Sequence, residues 1–496
     1  MTLPQSPART ARVSMLAAAG VLAFAASAGL ADTALTIYSS AQPGGIPAEW
    51  YRPVPGQGRS FYGNIPGYAV VKEEQAFNFT KGTGELRFTG VAALLDPTTV
   101  SFISLESDET KVIEQDYRFD LVSNQKLFER FLDEHIRVTV SQGDGKVTYG
   151  GKLLSASDGI VLLTSDGTIL SLRNYDAVDF PSLPGGLLTK PTLVWTTYSP
   201  EGGEQEARLA YQTTGITWWA DYNLVFTPGD NPNEGTLEVG SWVSILNQSG
   251  GTYEDAKLKL VAGEVNRAQP EPRMSRGMLM EADAMATRSA PKGFEEKAFG
   301  DYHLYTLGRP ATIPDNSTKQ LELFDAARGV PVAKQFIYDG GRDPGSVGVY
   351  LEFENTEKHG LGIPLPAGRI RVSQVDTADG SLEFVGEDTI GHTAREEDVT
   401  IKLGNAFDLV GERKVTESSR NSDRNVMTQS IEVTLRNRMD KAVELTVREH
   451  LMNGVKWRIT DQSDDYTQED EATIEFPVSL EPDEERVVTY TVRYNW

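Results

Sequence analysis

From residue 427 to the end of the chain, apolar and polar side chains alternate with a period of two. Ile431, Val433 and Leu435 form one run, and Val443, Leu445 and Val447 a second. Ile474, Phe476, Val478 and Leu480 form a third, and Val488, Tyr490, Val492, Tyr494 and Trp496 a fourth. Successive side chains of a strand point to opposite faces, so each run has one face to bury and one to wet. A helix would scatter the same residues around its circumference. Four such runs separated by turn residues predict an immunoglobulin-like β-sandwich over 427–496. The last run, ending in an aromatic, also imitates the final strand of an outer-membrane barrel. Such barrels need long lipid-facing strands throughout; most runs here are shorter and 24% of residues are charged, which suits a sandwich.

The same period extends upstream and predicts an all-β, multi-domain chain, since 496 residues exceed a single core. Residues 32–122 read as an N-terminal β-rich region, with runs at 68–71, 76–79, 85–88 and 99–105. The Pro- and Gly-rich stretch 40–67 reads as an irregular loop. One helix is expected at 123–134, capped by Ser123 or Asn124, with Leu127, Phe128, Phe131 and Leu132 on one face. Short runs at 136–140, 149–154, 160–163 and 169–172 follow, with hairpin signals at Asp144-Gly145 and Asp166-Gly167. Together 123–181 are expected to form a small Sm- or SH3-like barrel. Relatives of that topology that bind RNA need basic, aromatic-lined faces, which this segment lacks, so it reads as structural. A linker at 181–186 leads to a β-rich core over 187–266 and 301–426. Between those halves, 267–300 lose periodicity and read as a disordered linker.

Arg9 and Arg12, an apolar run from Met15 to Ala26, and small residues at Gly29-Leu30-Ala31 predict a secretory signal peptide over 1–31. Cleavage after Ala31 or Ala28 would leave a periplasmic or secreted mature chain with no integral membrane segment. Cysteine is absent, which excludes disulfides, thiolate metal sites, a cysteine nucleophile and a cysteine-linked lipid anchor. A net charge of −24 repels phosphate backbones and anionic headgroups, so no nucleic-acid partner is expected.

Several word-length stretches add a resemblance. They are residues 217–222 (TWWADY), 247–258 (NQSGGTYEDAKL), 362–368 (GIPLPAG) followed by Arg369 and Arg371, and 411–414 (GERK). In this order they resemble the bacterial domain-of-unknown-function family 4139, whose wider group includes mucoidy-inhibitor-like proteins. Leu94, Asp96, Pro97 and Thr98, and residues 187–195 (LLTKPTLVW), look like the family's exported long form. The resemblance implies an envelope protein of β-sandwich domains and supplies no catalytic residues. The long coiled coil of some relatives is missing here.

The chain has five histidines and neither H-E-x-x-H nor G-x-S-x-G, so a zinc hydrolase and an α/β-hydrolase are disfavoured. Its G-x-G pairs lack the third glycine of a dinucleotide loop. Asp464-Asp465 and Glu469-Asp470-Glu471 offer oxygens for Ca²⁺ but lack EF-hand spacing, and read as a solvated loop. Met274, Met278, Met280 and Met285 offer soft ligands for Cu(I), with no histidine among them to complete a site. No metal or cofactor is expected. Trp218, Trp219 and nearby Asp221 are candidates for a sugar-stacking site, against core packing as the plainer reading. Pro364 and Pro366 mark a rigid turn that could serve as a functional surface loop. The resulting expectation is a non-enzymatic structural or protein-interaction module with a protein partner in the envelope. The alternative is a carbohydrate-binding or carbohydrate-active protein.

Overall fold

The computed structural model describes residues 32–262 and 294–496, except 40, 43, 52–64, 144, 300–301, 377 and 422–424. The expected signal peptide, most of the expected linker and the four clustered methionines lie outside them. The fold is all-β, with several sheets and two short α-helices among the described residues. No described helix is long and apolar enough to cross a membrane.

The first sheet crosses the expected domain boundaries. Asp32–Ser39 pairs antiparallel with Gly67–Phe79 and parallel with Tyr253–Ala262, placing Leu35 beside Leu258 and Ile37 beside Leu260. Gly67–Phe79, one strand where two runs were expected, pairs in turn with Gly203–Thr213. The N-terminal region therefore shares a sheet with the central core. Phe294–Phe299, inside the expected linker, is a strand against Tyr302–Leu307. Its sequence does not alternate, so only the neighbouring ladder reveals it. A three-stranded sheet of Gly82–Thr89, Thr192–Ser199 and Lys111–Arg118 packs against the first around Trp195. That indole stacks on Phe88 at 6.1 Å, meets Phe102 edge-on at 5.5 Å and donates to Gln115 Oε1 at 2.8 Å. Burying about 200 Å² of aromatic surface contributes roughly 5 kcal/mol.

The helix of the small module is shorter than expected. It spans Asn124–Arg130, with Ser123 Oγ accepting from the Lys126 N–H. Leu127, Phe128 and Phe131 cover the module's own core of Ile136, Val138, Leu153, Ile160 and Leu162. Leu132 lies past the helix end, just before Asp133 at φ 67°, and faces solvent. The five strands run in the order Ala177–Asp179, His135–Gln142, Gly145–Ser155, Ile160–Leu163, Ile169–Leu172, and the sheet stays open. The expected barrel does not close, because its two end strands have four and three residues and make no ladder with each other.

In the C-terminal region every alternating residue from Ile431 to Tyr494 named above is no more than 3% exposed, and Trp496 alone emerges. The sandwich is larger than residues 427–496. One sheet, Leu409–Asn421, Val426–Asn437, Glu485–Asn495 and Lys456–Gln462, begins upstream of residue 427. The facing strands Val443–His450 and Thr473–Leu480 belong to an eleven-stranded sheet that reaches back, through Ala327–Tyr338, to Ile216–Pro228 and Gly368–Val375. Phe336, Tyr338, Val347 and Val349 help fill the shared core. Gly411 lies against Tyr338, whose ring a Cβ at this position would approach to 2.2 Å. Gly411→Ala should therefore overpack the core and lower the unfolding free energy by about 1–3 kcal/mol. Urea denaturation measures this, and an unchanged midpoint would refute the packing argument.

Candidate functional site

Three of the stretches, 217–222, 247–258 and 362–371, meet at strand Ile216–Pro228. It pairs parallel with Gly368–Val375, setting Asp221 beside Arg369, and antiparallel with Glu234–Asn247, setting Asp221 beside Trp242. Trp218 and Trp219 point to opposite faces, as period two requires. Both faces are covered: Trp218 (3% exposed) enters the first core near Tyr305, and Trp219 (8%) lies with Ile46, Ile65 and Leu246. Neither indole is available for sugar stacking. Trp50 and Tyr51, from the stretch expected to be loop, pack on this second face.

Trp219 and Asp221 share a face, and the indole N–H donates to Asp221 Oδ2 at 2.7 Å. Ser244 Oγ donates to the same oxygen at 3.0 Å, while Arg369 Nη2 meets Oδ1 at 3.2 Å and Arg371 Nη1 at 3.6 Å. Glu387 balances both arginines, with Arg371 Nε at 2.9 Å and Arg369 Nη1 at 3.9 Å. Two acids and two bases thus close a neutral cluster around a carboxylate that is 5% exposed. An unmet charge at such a site would cost several kcal/mol. The adjoining cavity, lined by Gly44, Ile46, Tyr51, Trp219 and Arg369, holds about 10 Å³, at most one water.

Pro364 and Pro366 join this region but are buried, where a surface loop was expected. Tyr305 Oη donates to the Pro364 carbonyl and Tyr222 Oη to the Pro366 carbonyl, each at 2.8 Å. Burial pushes both phenols above their ordinary range. Residues 247–258 open with another fixed element: Asn247 Nδ2 donates to the Gly251 carbonyl at 2.8 Å, and its Oδ1 accepts from the Ser249 N–H.

The 411–414 stretch supplies Arg413 to a second internal cluster. Glu449 occupies an inward position of Val443–His450 and is 1% exposed. Arg413 Nε contacts both of its oxygens at 3.0 and 2.9 Å, and Tyr490 Oη donates at 2.6 Å. Burial, and then the Glu449 charge, push the Tyr490 phenol up. Asp470, one of the candidate Ca²⁺ acids, accepts from the Ala472 and Thr473 N–H groups at 2.7 Å and so caps a turn. Those hydrogen bonds hold its carboxyl below the usual range. No three His, Cys, Asp or Glu side chains gather as a metal site among the described residues.

One open feature escaped the sequence reading. Lys456–Gln462 is the outermost strand of the four-stranded sheet and, among the described residues, pairs with Glu485–Asn495 alone. A cleft of about 590 Å³ runs beside it, lined by residues 454–459 and, opposite, by Tyr466, Gln468 and Glu471. Adjacent residues of a strand face opposite ways, so the four consecutive lining strand residues 456–459 mean that the cleft follows the backbone edge. Trp457 and Ile459 lean inward on the sandwich core, and Trp457 Nε1 donates to the Glu471 carbonyl at 2.8 Å across the cleft. Lys456 and Arg458 lie on the outward face, where Arg458 stands directly opposite Arg493. The Arg493 Nε is buried without a hydrogen-bond partner, and none of the three cations makes an ion pair among the described residues. The signal in the sequence was brief: one aromatic between two cations, Lys456-Trp457-Arg458.

A family model described as Domain of unknown function (DUF4139) matches residues 207–496, more than half of the chain. The chain belongs to the DUF4139 family. No curated protein matches it. The match contains both charge clusters and the edge cleft, whereas the small module and residues 187–195 lie upstream of it.

Removing one partner of a buried pair strands the other, which costs about 3–5 kcal/mol. Glu449→Leu should lose that much stability by leaving Arg413 and Tyr490 unmet. The double variant Glu449→Leu/Arg413→Leu should recover most of the loss, and additive losses in a denaturation cycle would count against the pairing. Glu73 presents the opposite case. It is half-buried, has Tyr211 Oη at 3.4 Å and lacks an ion pair among the described residues, and burial raises its carboxyl pKa. As pH rises, the unfolded chain ionises this group first, so stability falls through the window above the ordinary carboxylate range and stays lower. Glu73→Gln should therefore melt higher than the parent at about pH 7 and alike at about pH 4. A lower melting temperature at neutral pH would contradict this.

Proposed function

We propose that this is an exported, non-enzymatic protein of the cell envelope that offers a strand edge to a protein partner. The predicted signal peptide supports the compartment. The observation that carries the interaction reading is the Lys456–Gln462 edge, a seven-residue strand with one side unpaired among the described residues, beside an open cleft. Exposed edges of this kind are templates for pairing with another chain. The deeply buried acids point away from catalysis. Asp221 and Glu449 already accept hydrogen bonds from fixed tryptophan, serine, arginine and tyrosine donors, whereas a general base must reach a substrate proton. Carbohydrate binding stands as the second reading at a new place, because Trp457 and Tyr466 line an open cleft.

Cell fractionation with N-terminal sequencing, combined with cross-linking in intact cells, tests the proposal. The expected result is a chain beginning at Gly29 or Asp32, outside the cytoplasm, joined to another protein. An uncut chain in the cytosol would overturn the compartment. Glycan turnover by the purified mature chain would overturn the non-enzymatic reading.

A further inference from the structure

We infer that the Lys456–Gln462 edge receives an extended partner segment as an added strand, one that alternates acidic and apolar side chains. This rests on the interaction reading above and specifies the chemistry of its ligand. Strand addition draws affinity from main-chain hydrogen bonds and specificity from pockets for alternate side chains. The edge provides both. Its outer side has no neighbouring strand among the described residues, and its cleft falls within the volume range of binding pockets, about 300–1,000 Å³.

The two faces of the edge ask for different side chains. Inward, Trp457 and Ile459 with Tyr466 opposite form an apolar wall continuous with the sandwich core, suited to every second side chain of an incoming strand. Outward, Lys456, Arg458 and Arg493 form a cationic group on a chain of net charge −24. Like charges directly opposite each other destabilise a ladder, and here Arg458 faces Arg493 with no acid bound to either among the described residues. A carboxylate on an added strand would lie across from Arg458, diagonal to Lys456, and form charge-assisted hydrogen bonds there. On the same face the Arg493 Nε is buried and has no hydrogen-bond partner among the described residues. These cations also oppose pairing of the edge with its own copy, since two such edges would bring like charges together. A glycan could stack on Trp457 but carries no regular row of N–H and C=O groups to complete the ladder.

The test uses the mature chain and a blocked peptide of alternating glutamate and valine, as long as the edge strand. Calorimetry should show saturable binding, with slowed amide exchange confined to Lys456–Gln462 and its flanks. Arg458→Glu should weaken binding about tenfold or more while keeping or raising the melting temperature, because the new carboxylate faces Arg493. Equal affinity for a lysine–valine peptide would overturn the inference. So would equal affinity for an anionic oligosaccharide of matched charge, or peptide binding that leaves exchange in the edge strand unchanged. No binding of the glutamate–valine peptide would also overturn it. If Arg458→Glu captures the cross-linked envelope protein as fully as the parent chain, the edge is the wrong site and only the broader reading of a protein partner stands. If no envelope protein is captured by either chain, the interaction reading itself fails.

Discussion

A sheet covered on both faces can carry a charge only where that charge is met in place, and the eleven-stranded sheet of this protein is arranged around that constraint. Ile216–Pro228 buries Trp218 on one side and Trp219 with Asp221 on the other. The carboxylate then requires Arg369 and Arg371 from the neighbouring parallel strand, and those arginines require Glu387. Further along the same sheet, Glu449 places the same demand on Arg413 and Tyr490. Each cluster joins segments far apart in sequence. Loss of one member would leave a desolvated charge, so these residues fix which strands neighbour each other as much as they add stability.

Four of the stretches that resemble the family lie within the matched residues 207–496, and three of them supply these clusters. Residues 217–222 bring the acid, 362–371 bring the arginines and the carbonyls that receive two buried tyrosines, and 411–414 bring Arg413 and the glycine that admits the Tyr338 ring. Their common property is service inside the fold. The accessible chemistry lies elsewhere, on a plain strand at the rim of the last sandwich, where an aromatic stands between two cations that make no ion pair among the described residues, beside an open cleft. Internal ion pairs hold the scaffold, and the rim carries the residues on which the proposed partner would dock.

The alternation of Ile431, Val433 and Leu435, and of the runs that follow, was legible because inward and outward positions repeat every second residue and need no knowledge of partners. Ser123 as a cap was legible for the same reason: a helix start is satisfied within a few residues. Trp218 and Trp219 show where legibility stops. That they face opposite ways follows from the backbone, but that both faces are covered depends on Tyr305 from one segment and Ile46 with Ile65 from another. Trp457 escaped notice because its run is short and a bulge between Ile459 and Asp461 breaks the alternation just beyond it.

Sequence by itself determined that this chain is made of strands, that it has no cysteine chemistry and that it carries a strong negative charge. Tertiary structure decided that Asp32–Ser39 lies beside Tyr253–Ala262, that the small module stays open, that the proline turn is buried and that Lys456–Gln462 lies at the outside of its sheet. The division follows from range. Side-chain periodicity is a property of adjacent peptide units, whereas pairing, coverage and charge neutralisation are set by contacts between segments that only the folded chain brings together.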